Sequence, residues 1–136
     1  MSLNSIYSIA GSSMAAQTTR LNTIAGNMAN AKNATSDPKE VYQARKPVFA
    51  EMLSSASSSL GSPVQVIGMS VSENQPVMAL EPGNPMADDN GYVYYPNVNI
   101  IEEMSEMMMA TRSYQTSVEV MSNARSMQEK LLTLGR

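Results

Sequence analysis

The chain has 136 residues, a formal net charge of −3, and neither cysteine nor histidine. The length fits one domain, and the missing residues exclude disulfides, thiol nucleophiles, Cys/His zinc centres and a histidine general base. A weakly acidic balance with no basic bias speaks against a nucleic-acid surface, and no stretch reaches the roughly 20 apolar residues of a membrane span.

Residues 1–31 are expected to form a helix, within an N-terminal arm placed at 1–33. Leu3, Tyr7, Ala10, Met14, Gln17, Leu21, Ile24, Met28 and Ala31 recur in steps of four and three, the spacing of a heptad seam. Arg20 is the only charge before Lys32. The remaining surface is Ser, Thr, Asn, Gln, Gly and Ala, which can lie against other protein without desolvating charge. Gly11 and Gly26 each cost about 1 kcal/mol of helix propensity, and they suit a close approach of helices. With no basic stretch ahead of an apolar core, a cleavable secretory signal is not expected.

The segment 34–97 is expected to be a small β excursion. Asn30, Asn33, Thr35, Ser36, Asp37 and Pro38 carry turn chemistry. Val41 to Phe49 reads as extended, with Pro47 confining it to an edge or a bend. Residues 54–62, rich in serine, read as a flexible connector. Pro63–Met69 and Pro76–Leu80 are strand candidates, expected to pair across the turn near Glu73 and Asn74. Glu81-Pro82-Gly83-Asn84-Pro85 and Asp88-Asp89-Asn90-Gly91 are turns, the second leading into the strand-like Tyr92–Tyr95.

The C-terminal arm is placed at 98–136. No Gly or Pro falls between Asn97 and Leu134. Asn99 followed by Glu102 gives a start signal, and Gly135 a stop. Ile100, Met104, Met107, Thr111, Tyr114, Val118, Met121, Arg125, Gln128 and Leu132 form a second heptad-like seam, diluted at Thr111, Arg125 and Gln128. A helix this long needs a partner along its length. The thirteen methionines suit contacts that are similar without being identical.

Catalytic constellations are missing. Asp88, Asp89 and Asn90 before Gly91 look like a fragment of a calcium loop. They lack the alternating ligands and the distal Glu, so a solvated turn is the better reading. Glu102, Glu103 and Glu106 sit where carboxylates compensate a helix dipole. No Gly-x-Ser-x-Gly elbow or phosphate loop occurs. The expectation is a protein that is no enzyme, with no cofactor, no metal and no small-molecule substrate.

Three stretches together carry a family resemblance. Leu21-Asn22-Thr23-Ile24-Ala25-Gly26-Asn27-Met28-Ala29-Asn30-Ala31 resembles the N-terminal signature of bacterial flagellar rod, hook and hook-associated proteins, with Thr35 near the expected Thr. Residues 32–37 depart from it, where many members have a tighter turn. Residues 98–104, 112–115 and 131–135 resemble the paired C-terminal signature. Glu81–Asp88, with Gly91-Tyr92-Val93 and Tyr95–Asn99, narrows the resemblance to the proximal rod proteins.

The resemblance implies a mainly α fold with a small β insert. The long N- and C-terminal helices would pack as an antiparallel coiled-coil-like pair beneath a β-hairpin or extended middle segment. It implies a structural subunit of the periplasm-crossing rod, stacked helically with copies of itself and other rod proteins and exported by the flagellar type III apparatus. Assembly is expected to use Leu3, Tyr7, Ala10, Met14, Leu21, Ile24, Met28, Ile100, Met104, Met107, Tyr114, Val118, Met121 and Leu132. Phe49 and Leu53 match a short export-gate pattern of the family, whose bland alternative is a strand end. The rivals are a soluble helical adaptor or export chaperone, and a different rod subunit.

Overall fold

A computed structural model describes residues 3–52 and 61–134. The elements run α1 (Leu3–Asn30), β1 (Arg45–Glu51), β2 (Val64–Val71), β3 (Val77–Leu80), β4 (Tyr92–Tyr95) and α2 (Ile100–Leu134). The fold is mainly α, with an antiparallel helix pair and a small β insert. The expected stop at Gly135 and most of the connector, residues 54–60, lie outside the described residues.

Both long helices start and stop where their sequences change character. α2 begins because Asn99 caps it: its Oδ1 accepts the N–H groups of Ile101 at 3.1 Å and Glu102 at 3.4 Å. The Glu102 carboxylate pairs with Lys46 at 3.6 Å. α1 ends where Asn30 Nδ2 bonds the Gly26 carbonyl at 2.8 Å and its Oδ1 accepts from Asn33 Nδ2.

The chain divides into two compact units, each built from parts of both helices. The first comprises residues 1–21, 47–68 and 108–136. In it α1 and α2 run antiparallel. Tyr7 OH donates to Gln128 Oε1 at 3.1 Å, and the Ser13 and Ser117 hydroxyls meet at 2.9 Å. Its buried apolar residues are Ala10, Ala16, Ala110 and Ala124. Small residues let helix axes approach toward the lower end of the usual range of roughly 8–10 Å. Gly11 belongs to the same contact, since a Cβ there would stand 4.0 Å from Met121 Cε.

The second unit comprises residues 22–46 and 69–107. Its buried apolar residues are Ile24, Ala31, Val41, Ala44 and the fully buried Val93. β3 and β4 form an antiparallel ladder with Val77 opposite Tyr95 and Leu80 opposite Tyr92. The connection closes tightly: Gly91 at φ 81° lets its carbonyl accept from Glu81 N–H at 2.9 Å.

This pairing corrects the expected hairpin of Pro63–Met69 with Pro76–Leu80. β2 pairs with β1, and β3 pairs with β4. The reason lies in the connections. Two turn sequences between Leu80 and Tyr92 fold the chain back on itself. The segment after β2 instead leads from Ser72, whose N–H bonds the Ala44 carbonyl at 2.8 Å.

Candidate assembly surfaces

A buried amide organises the second unit. Asn27 is 1% exposed. Its Nδ2 donates to the Arg45 carbonyl at 2.9 Å and to Glu103 Oε1 at 3.2 Å. Its Oδ1 accepts from Tyr42 OH at 2.9 Å and from Arg45 N–H at 3.0 Å. Two donated and two accepted bonds use the whole capacity of the side chain. One residue thus holds α1, the start of β1 and the first turn of α2. Glu103 is also buried, and the amino-terminal end of α2 favours its carboxylate. Gly26 faces Tyr42, with a virtual Cβ 3.9 Å from the phenol oxygen, rather than a second helix.

The hairpin carries a second polar cluster. Tyr95 OH donates to Glu81, 3.1 Å from Oε2, and Asn84 Nδ2 bonds the same oxygen at 2.9 Å. That hydrogen bond to a carboxylate raises the Tyr95 pKa above its ordinary 10.0. Asp88 Oδ1 accepts the N–H groups of Asn90 and Tyr92 at 2.9 and 2.8 Å. The carboxylate that looked like part of a calcium loop is committed to its own turn.

The seam residues divide by side of the helix. On α1, Ala10 and Ile24 are buried, and Tyr7, Met14, Leu21 and Met28 are half-buried. The side chain of Leu3 lies outside the description. On α2, Ile100, Met107 and Met121 are half-buried, while Met104, Tyr114, Val118 and Leu132 are exposed. The inward line runs through Glu103, Met107, Ala110, Ser117, Met121 and Ala124. It shares every second position with the expected seam and shifts the others by one residue. Small residues fill the shifted positions at Ala110, Ser117 and Ala124, and the buried Glu103 fills the first, so Met104 and Val118 turn outward. Phe49 is half-buried on β1, and Leu53 lies outside the described residues.

α2 therefore departs from the usual amphipathic helix, with large apolar side chains exposed beside its charged ones. Ile101 is 76% exposed, Met108 68% and Leu132 69%, and Met109, Val120, Met127 and Leu131 are exposed with them. In the first unit a shallow groove of about 460 Å³ runs along Ile6, Ile9, Ala10, Ser13, Gly61, Thr116, Ser117 and Val120. Gln17 Oε1 is buried with no hydrogen-bond partner. Large apolar side chains in such number on one helix mark contacts with other protein. No helix among the described residues is long and apolar enough to cross a membrane.

An antiparallel pair of long helices, packed on small residues and with large apolar side chains left exposed, has the make-up of a structural subunit rather than of a catalyst. The family described as "Flagellar basal body rod FlgEFG protein C-terminal" matches residues 89–134. The flagellar basal-body rod protein FlgC of Salmonella typhimurium is 43% identical over 136 residues, covering 100% of both chains. That of Escherichia coli O6:H1 is 42% identical with the same coverage. That of Agrobacterium fabrum is 35% identical over 92% of this chain and 89% of its own. The chain belongs to the FlgC family of flagellar basal-body rod proteins. It is a structural subunit of the basal body that assembles with other rod components, and it is not an enzyme.

Proposed function

We propose that the chain works in the proximal part of the rod. Copies of it and of other rod proteins stack helically there into the shaft that crosses the periplasm and transmits torque. The observation that carries this reading is the number of large apolar side chains left exposed along α2, from Ile101 to Leu132, on a helix of 35 residues, or roughly 50 Å. A helical stack is made of heterologous contacts that do not close. Methionine suits such contacts because it fits neighbours that differ slightly. The seam positions of both arms take part, together with the outward Ile101, Met108 and Met127. The subunit reaches the rod through the flagellar type III apparatus, with Phe49 as the described part of its recognition pattern.

The test is the amount of chain in purified basal bodies, measured by mass spectrometry beside the whole-cell amount. Met108→Asp is expected to leave the cellular amount intact and to remove the chain from basal bodies, because an unpaired buried carboxylate costs about 3–5 kcal/mol. Motile cells with normal basal bodies carrying this variant would overturn the reading. Phe49→Ala is expected to lower export at unchanged cellular amount, and normal export would remove Phe49 from the account.

A further inference from the structure

The β3–β4 ribbon has one finished edge and one open edge. On β4, Tyr94 exchanges two backbone bonds with Thr35, both 3.0 Å. Tyr92 donates to Asp88 Oδ1 and accepts from Asp88 N–H, both at 2.8 Å. Tyr92 and Tyr94 therefore turn their backbone groups away from β3. Residues opposite one another in an antiparallel ladder share that orientation. Their partners Leu80 and Met78 thus turn theirs outward on the other side. Among the described residues no hydrogen bond reaches the backbone of either on that side. Their side chains are 62% and 57% exposed. An apolar strand edge with unpaired donors and acceptors is a template for another strand, and folded proteins usually cover or charge it.

We propose that the β3 edge receives an extended segment of another rod component as an added strand, flanked by Lys or Arg. The inference rests on the rod reading above. Backbone bonds to Met78 and Leu80 would supply affinity, and the outward side chains would supply selection. Pro76 and Pro82 bracket the edge and limit the pairing to the length of β3.

Charge selects the occupant. Residues 69–107 hold seven carboxylates and no Lys or Arg, with Glu73 and Glu81 on either side of β3. A second β3 would bring the same acidic surroundings. The β1 edge of a second copy is already used, because Asn27 takes the outward backbone groups of Arg45 and Pro47 has no N–H. Charge complementarity favours a cation-flanked strand from a different chain of the assembly.

Proline substitution separates edge from side chain. At positions 78 and 80 it removes an outward N–H and no β3–β4 bond, while fixing φ at about −65°. Met78→Pro and Leu80→Pro are each expected to lower the chain in basal bodies by about tenfold at unchanged cellular amount, while Met78→Ala stays within about twofold. Equal behaviour of Met78→Pro and Met78→Ala would overturn the proposal. The unaltered chain serves as the control for the rod reading: its own absence from basal bodies sinks that reading, whereas its presence with normal proline variants sinks only the edge. Should a proline variant be degraded, hydrogen exchange of the unaltered chain decides. The Met78 and Leu80 amides should be slow in basal bodies and fast in the free chain. Fast exchange in both would also overturn the proposal.

Discussion

The two units stabilise themselves by opposite means. The first packs alanine, glycine and serine between its helices and leaves Met108, Met127, Leu131 and Leu132 outside. Across its helices the Ser13 and Ser117 hydroxyls meet, and Tyr7 bonds Gln128. The second buries Val93 and ties three segments to one amide, Asn27. Burying alanine recovers little hydrophobic free energy, at about 25 cal/mol per Å² of apolar area. A satisfied buried amide, by contrast, specifies one arrangement. The second unit therefore defines its own structure, and the first leaves apolar area that the proposed rod assembly would cover.

The comparison breaks most readily at its polar centre. Asn27→Ala removes both donors and the acceptor at once, stranding the Glu103 carboxylate and the Tyr42 and Arg45 groups. The expected loss is about 2–4 kcal/mol of stability in the second unit. Four of the six tyrosines, Tyr42, Tyr92, Tyr94 and Tyr95, lie in that unit, and there is no tryptophan. Tyrosine fluorescence in urea therefore reports it. An unchanged midpoint would mean that Asn27 is a passenger.

A second change tests the small-residue contact of the first unit. Ala110 is fully buried. Ala110→Leu should cost about 1–3 kcal/mol by overpacking, read as lower helical circular dichroism at a given urea concentration. Should the variant be as stable as the parent, the helices are not closely approached there. Ser13→Ala should cost only about 0.5–1.5 kcal/mol, since Ser117 keeps its bond to the Ser113 carbonyl at 3.0 Å.

Much of this architecture is legible in the sequence, and the failures have physical causes. The start of α2 at Asn99 and the end of α1 at Asn30 follow from capping chemistry. The phase of the α2 seam does not, because ranking positions by apolar bulk favours Met104 and Val118 over Ala110 and Ser117. Where the inward positions are small, as at Ala110 and Ser117, that rule inverts. The role of Asn27 lay inside the quoted N-terminal signature. Its sign was a polar residue at three-residue spacing from the buried Ile24, on an otherwise apolar line. Glu103 looks like its neighbours Glu102 and Glu106 until the fold sets it against Asn27. The β pairing was missed because strand propensity says nothing of partners.

The smallest effect sharpens the comparison by pH. Tyr95 donates to Glu81 within the second unit, and its pKa is raised because ionisation would break that bond and set two anions together. The folded value lies above the unfolded one. Below about pH 10 both states keep the proton and the bond contributes fully. As pH rises, the unfolded state loses its proton first, so stability falls through the window above 10 and is lost past the folded pKa. Tyr95→Phe should lose a small part of the stability at neutral pH and flatten this alkaline slope. The slope is read from urea midpoints followed by helical circular dichroism, a signal that phenol ionisation does not quench. An alkaline slope that persists in Tyr95→Phe would assign it to another group and leave the Glu81 bond without energetic weight.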